Sequence, residues 1–144
     1  SATDARWIEP FVVRAFEPGN LDNVTWNGTA TTNTTGVFTI TRLIPGTYDI
    51  GIKNWTCLSE LETNVTLIGG NTTVVDFGVI REGDANDDDL IDSSDFSLLS
   101  FAYNTWPAGP PKWDPNCDFN RDDYVGSSDY SILSLNYNKW GALY

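Results

Sequence analysis

The strongest constraint on this chain is that part of it is written twice. "GDANDDDLIDSSDFSLLSFAYN" from Gly83 aligns without gaps on "CDFNRDDYVGSSDYSILSLNYN" from Cys117, at an offset of 34 residues. Asp84, Asn86, Asp88 and Asp95 fall on Asp118, Asn120, Asp122 and Asp129, and Trp106 falls on Trp140. A gapless repeat of that length implies two copies of one supersecondary unit. Both copies are acidic. The chain carries 20 acidic and 8 basic residues for a formal charge of -12, and self-repulsion on that scale opposes compaction unless something neutralises it. No cluster of Lys or Arg suggests nucleic acid, and no apolar run is long enough to span a membrane. The partner that the charge implies is a cation.

Each copy has the spacing of a twelve-residue calcium loop. Oxygen-bearing side chains stand at positions 1, 3, 5 and 12: Asp84, Asn86, Asp88 and Asp95, then Asp118, Asn120, Asp122 and Asp129. Calcium takes six to eight oxygens, and such a loop can wrap them around one point. Position 7 offers a backbone carbonyl, from Leu90 or Tyr124. Position 9 is Asp92 in the first loop, acting directly or through water, and Gly126 in the second. Two calcium ions are therefore expected. Position 6, usually glycine, is Asp89 or Asp123, residues that tolerate the left-handed conformation better than most. The competing reading is a solvated acidic loop without metal.

The two loops, each followed by one helix, resemble a type I dockerin, the calcium-dependent module that plugs into a cohesin domain in cell-surface assemblies. The resemblance covers roughly Gly83 to Trp140. It implies partner contacts at loop positions 10 and 11, which are Ser93 with Ser94 and Ser127 with Ser128, and it implies docking in two orientations related by a pseudo-twofold axis. The linker "TWPAGPPKWDPN", with four prolines, departs from the helical connector of many members. The helices also point to a partner on their own pattern. Phe96, Leu99 and Tyr103 share a face expected to pack on Tyr130, Leu133 and Tyr137. Leu98, Phe101 and Ala102, with Ile132 and Leu135, form a second apolar face, which either meets a partner or is covered by the rest of the chain.

The first half reads as all-β. Extended patterns run through "WIEPFVVRAF", "GVFTIT", "GTYDIGIK", "NVTLIGG" and "TTVVDFGVI", with a sixth strand if "LDNVTWNG" pairs. "GVFTITRLIPGTYDIGIK" resembles the carboxypeptidase regulatory-like and related Ig-like sandwiches of surface proteins. The expected fold class is thus an all-β, Ig-like sandwich over residues 1–81, then a small α-helical, dockerin-like domain with two calcium loops over residues 82–144.

Compartment is read from the sequons at Asn23, Asn27, Asn33, Asn54, Asn64 and Asn71, which predict N-glycosylation and secretion; chance occurrence in a Thr-rich segment is the alternative. Absence of Met and a start at Ser1 fit a mature secreted product. In that setting the leading reading of Cys57 and Cys117 is a disulfide, closing a loop of about 60 residues for roughly 4 kcal/mol. An intermolecular bridge or two buried thiols are the other readings.

No histidine is present, which removes the commonest general base, and most carboxylates are taken up by the loops; the sequence does not read as an enzyme. The function expected is non-covalent extracellular assembly, first as a self-assembling, head-to-tail filament subunit with residues Ser1 to Phe16 as a possible strand donor. The alternatives are a conventional dockerin that binds a separate cohesin partner, and a carbohydrate-binding module using Trp26, Trp55, Trp106, Trp113 and Trp140.

Overall fold

A computed structural model describes residues 4–143. Ser1, Ala2, Thr3 and Tyr144, the ends of the two expected domains, lie outside the described residues. The chain divides into two compact units. One comprises residues 4–54 and Ser59–Val79 with Leu143, and the other comprises Trp55–Leu58 and Ile80–Ala142.

The first unit is built on a single four-stranded antiparallel sheet. Its strands are β1 (Pro10–Glu17), β2 (Asn20–Thr31), β3 (Gly46–Lys53) and β4 (Glu60–Leu67), in the order β2-β1-β3-β4. Along β1, Phe11, Val13 and Ala15 are buried while Val12 and Arg14 face solvent, the alternation of a half-buried strand. A two-residue connection, Pro18 and Gly19, turns β1 into β2, with Gly19 at φ +77°. The buried carboxylate of Asp49 holds two irregular points of this sheet. It accepts from the Gly19 N–H at 2.8 Å and from the N–H of Asn64, which has φ +54°, at 2.9 Å. The β3–β4 register shifts beside it, between Tyr48 and Ile50.

The second unit holds two ten-residue helices, α1 (Ser93–Ala102) and α2 (Ser127–Asn136), separated by the same 34 residues as the sequence repeat. Its buried core joins Ile91, Leu99 and Ala102 of the first repeat to Cys117, Phe119, Val125 and Leu133 of the second, together with Leu58 and Ala85.

The expected fold class is corrected on two counts. No second sheet forms among the described residues, so this is not an Ig-like sandwich: "GVFTIT" and "TTVVDFGVI" lie outside any strand. Alternation marks a chain that could be a strand, but a strand exists only where another backbone accepts its ladder, and these segments have none. Val74 and Val79 are accordingly among the most exposed apolar side chains. Nor is the helical half a separate domain beginning at residue 82. Trp55–Leu58, the segment between β3 and β4, belongs to it, and Leu58 is fully buried among its helices. The role suggested for the N-terminal segment is also excluded for Pro10–Phe16. β1 pairs with β2 on one side and β3 on the other, and a central strand cannot be donated to a neighbour.

Candidate calcium loops and docking face

Both acidic segments fold into the same hydrogen-bonded turn. In the first, Asp84 Oδ1 accepts the N–H of Asp88 at 3.0 Å and Oδ2 that of Asp89 at 2.9 Å. In the second, Asp118 Oδ1 accepts from Asp122 at 3.1 Å and Oδ2 from Asp123 at 2.9 Å. Asn86 and Asn120 accept the N–H of the residue two further on, and so do Asp88 and Asp122. These Asx turns roll the loop inward. Positions 4 and 6 take the left-handed conformation in both copies, Asp87 and Asp89 at φ +60° and +66°, Arg121 and Asp123 at +55° and +61°. Aspartate thus fills the turn where the spacing led one to look for glycine.

The position-12 carboxylates close each loop. Asp95 Oδ1 accepts from Ala85 and Asn86, and Oδ2 from Asp92 at 2.8 Å. Asp129 Oδ1 accepts from Phe119 and Asn120, and Oδ2 from Gly126 at 2.9 Å. Burial raises the pKa of Asp95 and of Asp129. The same cause, with the charges of Asp129 and Asp122 behind it, lifts Asp118 to about 6 against the pull of its backbone N–H partners. Asp95 and Asp129, whose Oδ1 atoms each accept two N–H groups, keep a further lone pair on Oδ2 for a cation. In the second loop the carboxylate oxygens of Asp118, Asp122 and Asp129 come within 4.8 Å of one another. An all-oxygen, carboxylate-rich donor set suits a hard cation such as calcium. Asp84, Asn86, Asp88 and Asp95 with the Leu90 carbonyl would hold one ion, and Asp118, Asn120, Asp122 and Asp129 with the Tyr124 carbonyl another. Asp92, the position-9 candidate, also caps α1: its Oδ1 accepts the Ser94 N–H at 2.8 Å.

Each loop is pinned to the far end of the other repeat. Ile91 donates its N–H to Lys139 and its carbonyl accepts from Asn138, while Val125 exchanges the equivalent bonds with Thr105 and Asn104. Both position-8 side chains are fully buried. The crossing makes the two repeats a pseudo-twofold pair.

On the surface, Ser93, Ser94, Ser127 and Ser128 are exposed at the starts of the helices. Leu98 is exposed, and Phe101 and Leu135 keep 62% and 74% of their surface in water. Lys112 from the linker stands over the Phe101 ring, 4.6 Å from its centre. Two members of the expected second face are corrected. Ala102 is fully buried, and Ile132 is half-buried against the core, because each lies beside the buried stripe of its helix, Asp95 and Leu99 in α1 and Asp129 and Leu133 in α2. On the other face only Leu99 and Leu133 are buried. Phe96 meets Tyr130 edge to face at 5.9 Å, and with Leu99, Ser100 and Tyr103 they line an open groove of about 370 Å³. Trp106 stacks on Tyr124 at 6.3 Å and Trp113 packs on the core, so packing accounts for two of the five tryptophans considered for sugar binding.

The sequons are not equivalent. Asn23, Asn27, Asn33, Asn64 and Asn71 are exposed, whereas Asn54 is 5% exposed and its Thr56 is buried. The expected disulfide does not form: Cys57 and Cys117 are both thiols, both buried. Burial first, then the negative charges of Asp114 and Asp129, pushes the Cys117 pKa up to about 12.

Sequence reasoning passed over the residues that bind Trp55–Leu58 into the second unit. Thr56 accepts the N–H groups of Gly83 and Asp84 on its carbonyl, and Arg121 forms an ion pair with Glu82 at 3.4 Å. The available signal was the arginine itself, a lone cation at position 4 of an otherwise acidic loop.

No family model matches the chain, and no curated relative does either. Among solved structures, chains from two interface-mutant forms of a type II cohesin–X-dockerin complex of Acetivibrio cellulolyticus are similar. The C-terminal interface mutant aligns with a TM-score of 0.74 and the N-terminal interface mutant with 0.66, each at 21% identity over 100% of this chain and 93% of the other. At that identity the likeness shows a shared fold. No helix among the described residues is long and apolar enough to cross a membrane.

Proposed function

We propose that the chain is a calcium-dependent docking protein that binds a separate cohesin-type partner outside the cell. The observation that carries this reading is the whole-length likeness to a chain of a cohesin–X-dockerin complex. The paired loops supply the physical basis. Two ions would neutralise the carboxylates that now lie close together, hold the loops in the turn they adopt, and orient α1 and α2 so that Ser93, Ser94, Leu98 and Phe101, or Ser127, Ser128 and Leu135, present one partner-facing surface. The docking face belongs to residues 82–144. The five exposed sequon asparagines support an extracellular location with N-glycans on residues 1–81. A head-to-tail filament is the weaker reading, since Pro10–Phe16 of its suggested donor segment lie in the central strand β1.

Sedimentation velocity in millimolar calcium separates the two. A folded monomer that then binds at least one member of a panel of immobilised cohesin domains, and is released by chelator, is expected. A calcium-dependent polymer returns the filament reading, and a folded monomer that binds none of the panel overturns docking. Ser94→Lys with Ser128→Lys is expected to weaken capture at least tenfold, because whichever surface docks would then bury a cation in the contact.

A further inference from the structure

The first repeat and the second are joined by their crossed bridges, but one further connection has no symmetric copy. Thr56 is 1% exposed, and its backbone and side chain serve different loops. Its carbonyl accepts the N–H groups of Gly83 and Asp84, both at 3.0 Å, and Asp84 is position 1 of the first loop. Its hydroxyl donates to Glu82 Oε2 at 2.6 Å and accepts from Arg121 Nη2 at 2.8 Å. Arg121 is position 4 of the second loop, flanked by Asn120 and Asp122, and its other terminal nitrogen donates to the Phe119 carbonyl at 2.8 Å. Glu82 completes the link, pairing with Arg121 through Oε1 and accepting Asn136 Nδ2 of α2 on its carbonyl at 2.9 Å. The positions equivalent to Arg121 and Asn136 in the first repeat are Asp87 and Ala102, which cannot make these bonds.

We propose that Thr56, with Glu82 and Arg121, couples the two calcium loops, so that an ion in either loop strengthens binding in the other. The inference rests on the calcium reading. An ion drawn to the Asp84 carboxylate fixes the backbone N–H that Thr56 holds, and fixing Thr56 fixes the hydroxyl on which the Arg121 guanidinium rests. That guanidinium sets the left-handed turn between two ligands of the second loop. The hydroxyl must donate and accept at once, which a threonine or a serine does and a valine of the same shape does not. Coupling of this kind is reciprocal, and about tenfold is an ordinary size for it. Thr56 is thus a positioning residue that touches neither ion.

The test is calorimetric titration of the full chain with calcium chloride, for wild type, Thr56→Val, Thr56→Ser and Arg121→Gln, with far-UV circular dichroism at each end point. Wild type is expected to bind two ions with positive coupling. Thr56→Val and Arg121→Gln are each expected to reduce the coupling about tenfold, the double variant no further, and Thr56→Ser to keep it. If Thr56→Val fails to fold without calcium, Arg121→Gln alone decides, since the Thr56 carbonyl bonds remain in it. Two ions bound with unchanged stepwise constants in Arg121→Gln overturn the coupling and leave the calcium loops standing. A wild-type chain that binds no calcium overturns the calcium reading and this inference with it.

Discussion

The two loops reach one geometry with different charges. The first carries six aspartates from Asp84 to Asp95; the second, from Asp118 to Asp129, carries four with Arg121 among them. Both make the same five backbone bonds to positions 1 and 12, with equivalent lengths differing by no more than 0.1 Å. The difference teaches which positions the turn needs. Positions 1, 3, 5 and 12 accept N–H groups and are the same residue types in both copies, whereas positions 4 and 9 are free to specialise. The first loop uses position 9 for a helix cap. The second uses position 4 to anchor itself on Thr56 and Glu82.

Removing the cation should break both loops at once and is the largest effect expected. At millimolar calcium and micromolar affinity each ion contributes about 4 kcal/mol, so chelator should lower the thermal midpoint of the helical signal steeply, as read by circular dichroism. Retention of the full midpoint after chelation would mean that the loops do not depend on metal.

The core is where the repeats are most alike, since Leu99 and Leu133 are each 1% exposed in one shared cluster. Leu99→Ala and Leu133→Ala should each cost about 2–5 kcal/mol, equally within error, in chemical denaturation. A markedly smaller loss for one would show that one repeat can collapse around the cavity, and the pseudo-twofold description would then fail energetically.

Protonation should sharpen the contrast with and without metal. The folded pKa of Asp118, about 6, lies above its ordinary 3.8 because of burial. Between those values the folded state holds a proton that the unfolded chain has released, so the metal-free protein should lose stability as pH rises from about 4 to about 6. With calcium bound the trend should reverse, because acid then competes with the ion for the same oxygen atoms. Thermal melts at pH 4.5 and 6.5, with chelator and with calcium, check both signs.

The smallest effect concerns the caps. Asp92→Ala should cost about 1 kcal/mol through the lost bond to Ser94. Gly126, its counterpart, has no side chain with which to cap α2. Gly126→Asp should not gain the reverse, since a Cβ there would lie 2.4 Å from the Tyr124 ring. A gain of stability in Gly126→Asp would mean that Tyr124 moves aside easily.

The candidate loops were legible residue by residue, because the side-chain bonds within each loop run between positions no more than ten residues apart and the repeat displays the pattern twice. The helices followed from the same register, and β3 was read to the residue. Other readings failed where the deciding contact was distant. "GVFTIT" and "TTVVDFGVI" carry the alternation of strands, but nothing local tells a segment whether an open edge awaits it. Cys57 and Cys117 invited pairing by their number and setting, and only packing decided that both would remain thiols. Ile132 looked exposed on a helical wheel that took no account of the loops around it.

What the sequence determined by itself is therefore the two acidic turns, the helices that follow them and the absence of a histidine-based chemistry, all properties of residue type and short spacing. What only the tertiary structure decided is the single four-stranded sheet, the inclusion of Trp55–Leu58 in the helical unit, and the meeting of Thr56, Glu82 and Arg121. The last of these depends on pairings across 26 to 65 residues. Such pairings are selected by the packing of the whole chain and leave no periodic trace in its order of residues.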